Sequence, residues 1–112
     1  MEDSVSASDD YVDPFEYLSQ YNEDQCFEIF CNNLNNIDLC IFLFVGKLNF
    51  TIYKQNCLEM LKFYFENSIE NNKYTKRETL DELASLASIF ASIDEYKSEY
   101  NKILYLIKKL LS

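Results

Sequence analysis

Residues 38–53 read Asp-Leu-Cys-Ile-Phe-Leu-Phe-Val-Gly-Lys-Leu-Asn-Phe-Thr-Ile-Tyr, and the fold turns on how they are taken. The stretch holds the longest apolar run of the chain, Leu39 to Val45, and its only glycine, Gly46. Seven consecutive apolar residues must leave water, so the remaining segments have to pack around them. As a helix the run is apolar nearly all round and buried on most sides. As strands it would run out through Leu39–Val45, turn at Gly46-Lys47 and return through Asn49–Tyr53. Periodicity alone does not separate the two. Composition favours the helix: one Gly and one Pro in 112 residues are too few for the tight turns of an all-β fold, although Asn can fill some of them.

The same stretch divides the chain electrically. All ten bases lie from Lys47 onward, whereas ten of the nineteen acids precede it with no base among them. A net charge of −9 without a clustered basic surface argues against nucleic acid, because phosphate contacts need grouped Lys and Arg. It points instead to a basic protein partner or to simple solubility. Cys26, Cys31, Cys40 and Cys57 lack paired zinc-ligand spacing and there is no histidine, so reduced structural thiols, no metal and no cofactor are expected. Without histidine there is no Ser-His-Asp or Cys-His arrangement, and without a Gly-rich loop there is no phosphate cradle, so no catalysis is expected. No apolar stretch approaches the ~20 residues of a membrane span and the start lacks a signal-peptide pattern; a cytoplasmic location is the expectation. The Asn-, Lys-, Ile- and Tyr-rich composition fits an AT-rich coding source such as a virus or a parasite.

Outward from residues 38–53, the chain reads as a single helical domain over 13–112 behind an acidic, disordered tail over 1–12, in which Ser6 with Asp9 has the spacing of an acid-directed phosphosite. Asp13, Pro14 and Glu16 have N-cap, first-turn and capping-box character for a short helix ending near 20–22. A second helix is expected over 23–34, with Phe27, Phe30 and Leu34 on one face. Asn32–Asn36 breaks the chain, and Asn36 can cap a third helix starting at 37–38. Cys57, Leu58, Leu61, Tyr64 and Phe65 mark a helix over about 54–68. Thr75 with Glu78, and Ser92 with Glu95, have capping-box spacing for two further helices. The first carries the Leu80, Leu83, Leu86, Ala87, Phe90 stripe; the second runs to the end, with a kink expected near Asn101. The fold class is therefore all-α, a bundle of about six antiparallel helices.

Read as helices, residues 26–104 resemble a death effector domain, the six-helix death-fold module of apoptotic adaptors, initiator caspases and viral inhibitors. Phe27, Phe30, Leu34, Asp38 and Leu39 match its opening pattern. Phe44 and Val45 take the place of its aromatic-leucine surface pair. Leu80, Leu83 and Leu86, followed by Ser92-Ile93-Asp94-Glu95, resemble its later leucine stripe and Arg-x-Asp-Leu motif. Ser92 stands where the family has the arginine of its charge triad, and Glu95 where it has the leucine. The resemblance implies a partner that is itself a death-fold protein, a capacity to self-associate, and a role as adaptor or inhibitor in apoptotic or inflammatory signalling. It places Asp38, Phe44, Val45 and Asp94 on partner-binding faces, with Phe44 and Val45 outward.

On the strand reading, Val45–Lys54 resembles the strand entering the second half of a BTB or elongin-C-like ubiquitin-ligase adaptor, although residues 1–36 lack that fold's opening hairpin. A third resemblance is to small viral Bcl-2-like regulators, for which 112 residues is short.

Overall fold

The structure is a computed structural model that describes residues 14–112, with side chains from Glu16 onward. Six helices follow one another: α1 (Pro14–Ser19), α2 (Glu23–Asn32), α3 (Ile37–Leu43), α4 (Lys54–Glu70), α5 (Leu80–Phe90) and α6 (Lys97–Leu111). A π-helical turn, Phe44–Leu48, extends α3, and single 3₁₀ turns, Arg77–Thr79 and Asp94–Tyr96, lead into α5 and α6. There is no strand among the described residues, so the hairpin around Gly46 is overturned and with it the BTB-like architecture. The reason lies in the spacing: Ile37, Cys40, Leu43, Phe44 and Leu48 recur at three- and four-residue intervals, and all are buried. The expected tail, the Ser6 site and the Asp13 cap lie outside the described residues.

Asparagine punctuates the front half. Asn22 caps α2 in a reciprocal box with Gln25, the two bonds measuring 2.8 and 2.9 Å. Asn36 caps α3 by accepting from the Leu39 N–H at 3.3 Å. After α4, Asn72 takes a left-handed backbone, φ 57°. The Lys73 N–H then donates to the Ser68 carbonyl at 2.9 Å and the Asn72 N–H to the Ile69 carbonyl at 3.0 Å, the paired bonds of a Schellman stop. Asn tolerates this conformation better than most residues, which is why the helix ends here.

Where the sequence shows capping boxes at Thr75 and Ser92, the helices instead enter through 3₁₀ turns and begin at Leu80 and Lys97, with no side-chain cap on either. The kink expected near Asn101 is absent; α6 is unbroken from Lys97 to Leu111. Helix α2 stops at Asn32, leaving Leu34 outside it and 37% exposed. Among the described residues there are six helices, five of them, α2–α6, across residues 23–111 and the sixth, α1, before them.

The core gathers Phe30, Phe44, Phe65, Phe90 and Tyr96 with leucines from α3, α4 and α5. Each such side chain contributes roughly 1.5–3 kcal/mol when fully buried. The π turn sits at the centre: α1, α2 and α4 all pack on it, while α3 packs on α2 and α5, and α5 on α6. Gly46 makes the closest approach possible. A Cβ there would overlap a methyl group of Leu18, by which α1 is seated in the core.

Candidate interaction surface

The π turn decides which side chains of the apolar run reach water. The Phe44 N–H still bonds within the ordinary helical turn, to the Cys40 and Ile41 carbonyls, and the helix widens only in the π turn Phe44–Leu48 that follows. A widened turn inserts a residue into the helical register, and such turns recur at functional sites. Leu43, Phe44 and Leu48 stay in the core, while Val45 is left 59% exposed. Phe44, at 2% exposure, is a core residue, which corrects the expectation that it faces outward. The expected aromatic-aliphatic surface pair is thus split, one member in and one out.

A second exposed apolar pair, Phe50 and Ile52, follows Val45 in the chain. The five-residue connection from the π turn to α4 is pinned at Thr51 and Tyr53. Thr51 Oγ1 donates to the Leu48 carbonyl at 3.0 Å and accepts the Tyr53 N–H at 3.1 Å. Tyr53 stacks on Phe27 of α2, ring centroids 4.2 Å apart, and its hydroxyl donates to Asp24, the bond that holds its proton more tightly than usual. With Thr51 and Tyr53 turned in, the intervening Phe50 and Ile52 point out, 92% and 85% exposed. Lys54 Nζ lies 5.9 Å from the Phe50 ring centroid, a cation–π approach.

Across from this lip, the end of α5 and the turn after it complete a cleft of about 280 Å³. Val45, Phe50 and Lys54 form one wall; Ser88, Ser92 and Ile93 form the other. Val45 and the Ser92–Asp94 segment are therefore brought together, as Asp94 follows Ile93 directly and is exposed. Asp38 is also exposed, but at the start of α3, about 10 Å from Val45 along the helix axis at 1.5 Å per residue. It does not line the cleft. The chain's one arginine, Arg77, sits exposed on the 3₁₀ turn before α5, far in sequence from Ser92.

The cleft mixes apolar and polar groups. Its lining groups are aliphatic, aromatic, hydroxyl, amide and one ammonium. Among the described residues no three His, Cys, Asp or Glu side chains gather around a metal-sized site, and all four cysteines are free thiols. Burial pushes the Cys40 thiol up to about 11 and Cys57 up to about 12, so both are unreactive hydrophobes. No helix among the described residues is long and apolar enough to cross a membrane.

Phe50, Ile52 and Lys54 did not stand out from the sequence as surface residues. The one signal for them is the alternation Phe50-Thr51-Ile52-Tyr53, which reads as a strand until the turn is seen to pin every second residue. Comparison with protein-family models, with curated proteins and with solved structures found no match to this chain.

Proposed function

We propose that the protein is a protein–protein interaction module of death-effector-like kind, an adaptor or inhibitor that engages a death-fold partner in apoptotic or inflammatory signalling. What supports an interaction role is one observation: Val45 and Phe50 hold apolar side chains in water on the lip of a cleft, with Ile52 exposed two residues further on, around the element on which α1, α2 and α4 converge. Clustered exposed apolar groups of this size mark contact sites, and an exposed aromatic beside a pocket is the usual form of a hot spot. Phe44 lines the cleft from within the core and is not an outward contact. Val45 and Asp94 remain in the binding set, joined by Phe50 and Ile52, with Asp38 at the far end of α3.

The death-fold part rests on the residues of the resemblance. The test is co-precipitation of the full chain with isolated death effector domains, comparing wild type with a Phe50→Ser/Ile52→Ser double variant. Retention of such domains by the wild type, lost in the variant, is the expected result. Retention by both sinks the surface assignment. Failure of the wild type to retain any of them, while it captures unrelated proteins through Phe50 and Ile52, sinks the death-effector reading and leaves the interaction role.

A further inference from the structure

A different face of the molecule carries a second contact surface, and it is complementary to itself. We propose that the protein forms a two-fold symmetric dimer, in which the groove between α6 and the end of α4 receives the same pair of helices from a second copy. The inference does not rest on the death-effector reading, whose contact residues lie around Val45 and Asp94.

Helix α6 lies against α5, with Ile103 buried and Leu106, Ile107 and Leu110 packed on the core. Away from that stripe it borders a groove of about 730 Å³, lined by Ile69 of α4 and by Tyr105 and Leu106 of α6. Tyr105 is 65% exposed there. Lys102 and Lys109 stand three residues before it and four after, on the same face of the helix. Every exposed charged residue of α6 is basic, namely Lys97, Lys102, Lys108 and Lys109, and its one acid, Glu99, is buried.

The end of α4 carries the reverse. Phe63 is 73% exposed, and Glu66 and Glu70 follow it by three and seven residues. Together with Asn67 they line a hollow of about 130 Å³. Glu66 lies three residues before Ile69, so hollow and groove adjoin across one ridge of α4. Glu66 is 3.9 Å from Lys62 of its own helix, an exposed pairing that is worth little and yields to a better one.

One chain thus holds, side by side, an aromatic ring flanked by acids and another flanked by bases. Phe63–Glu70 and Lys102–Lys109 each span seven residues, about 10.5 Å of helix. A two-fold axis sets each patch against the opposite patch of the second copy, so every contact is made twice. Phe63 of one copy enters the groove of the other beside Tyr105 and Ile69, while Glu66 and Glu70 reach Lys102 and Lys109. Burial of the rings supplies the attraction, and the charges fix the orientation. Nucleic acid and anionic membranes are poorer occupants, because both would meet Glu66 and Glu70 next to the lysines. The contact is short, so it belongs with the small interfaces and the dimer dissociates on dilution.

The experiment is sedimentation equilibrium of the full chain over about 1 μM to 1 mM. The mean mass should climb from the chain mass of 13.3 kDa to twice that value and stop there. The charge reversals Glu66→Lys/Glu70→Lys and Lys102→Glu/Lys109→Glu should each raise the dissociation constant about tenfold or more, since like charges then face each other in both halves of the contact. An equimolar mixture of the two variants should dimerise again, because each half then pairs acids with bases. Circular dichroism should stay helical in both, as none of the four side chains is buried. Should either variant lose its helical spectrum, Tyr105→Ser decides in its place by the same tenfold criterion. A chain that stays monomeric throughout overturns the proposal. A mass that passes beyond the dimer means copies joined head to tail and overturns the two-fold contact. A dimer that both reversals leave intact, or a mixture that fails to dimerise, places the contact on another face and overturns it as well.

Discussion

Two connections flank α4, and they treat their aromatic residues in opposite ways. The connection after α4, residues 71–79, turns Tyr74 inward to 5% exposure. The connection before it, residues 49–53, leaves Phe50 at 92%. The difference is a polar clasp. Tyr74 donates to Glu82 Oε2 of α5 at 2.6 Å, Tyr64 of α4 to the same oxygen at 3.0 Å, and Lys73 Nζ lies 2.9 Å from Glu82 Oε1. One carboxylate thus ties a loop to two helices, and the loop's aromatic ring follows it into the core, 5.7 Å from Phe65. Residues 49–53 are no less ordered in their bonds, but Thr51 and Tyr53 hold them, and the side chains between have nowhere to go but out. The fold can bury an aromatic residue from a loop. Where it leaves two large apolar groups in water beside a cleft, the exposure is a property of that face and not of loops in general.

The largest test of this contrast lies beneath the exposed lip. If Phe44 is the floor on which Val45 and Phe50 stand, Phe44→Ala should cost about 3–5 kcal/mol, the range for truncating a buried Phe. Urea unfolding should then show a midpoint lowered by a large fraction of total stability. A cost under about 1 kcal/mol would return Phe44 to the surface and revive the outward pair.

On the clasped side, Glu82→Ala should cost about 2 kcal/mol. It leaves the buried Tyr74 hydroxyl without its acceptor and Lys73 without its ion pair, and unpaired buried groups carry their full desolvation penalty. The Glu82 side chain is only 11% exposed, so the pair is not screened away as a surface bridge would be. Tyr74→Phe should cost less, about 1 kcal/mol, since the carboxylate keeps its other two partners.

The clasp also has a pH signature. Burial and the bond to Glu82 raise the Tyr74 phenol above its ordinary value of 10.0; burial and the bond to Glu59 do the same for Tyr96; Cys40 and Cys57 are raised from 9.0. A group that holds its proton more tightly when folded stabilises the fold fully below its unfolded pKa and loses that contribution as pH rises toward the folded one. The urea midpoint should therefore be level from pH 7 to about 8.5 and fall from about pH 9 toward 12. Tyr74→Phe should shallow the fall above pH 10. A midpoint unchanged at pH 11 would mean these groups are hydrated in the folded protein.

These two regions also mark what the sequence discloses and what it withholds. The helices read well where apolar residues recur locally, as in Leu80–Phe90, and the asparagine breaks announce the ends of α2 and α4. The helical reading of Leu39–Phe50 rests on scarce Gly and Pro, and the structure agrees with it as far as Leu48. The inversion of Phe44 and Val45 is not legible, because one residue inserted by the π turn shifts the register that a regular helix would keep. The capping-box spacings at Thr75 and Ser92 mislead, since 3₁₀ turns place the same residues outside the helix. Glu82 and Tyr64 are eighteen residues apart, and no local pattern announces that they share a hydroxyl–carboxylate bond.

A smaller effect sits where the exposed lip meets α1. Gly46→Ala removes a glycine from a helical position, which alone favours folding by roughly 0.5–1 kcal/mol. It also drives a Cβ into the Leu18 methyl, and overpacking of a seated side chain costs about 1–3 kcal/mol. Because Leu18 is buried at 5% exposure and α1 is only six residues long, the clash should win and thermal unfolding should fall by a few degrees. An increase would mean that α1 yields without loss.

The smallest expected change in stability belongs to the residues most exposed. Phe50→Ser and Ile52→Ser together remove the apolar lip and touch no core contact, so the urea midpoint should stay within about 0.5 kcal/mol of wild type. Loss of the Lys54–Phe50 approach adds little, since an exposed cation–π contact is worth about 0.5–1 kcal/mol at most and Lys54 regains its hydration. The circular dichroism should remain helical and unchanged. The contrast with Phe44→Ala is then complete: of two phenylalanines that line the same cleft, one is essential to the fold, the other neutral to the fold and essential to the contact. A double variant that unfolds would show that the lip packs on the domain, and the case for a docking surface there would be lost.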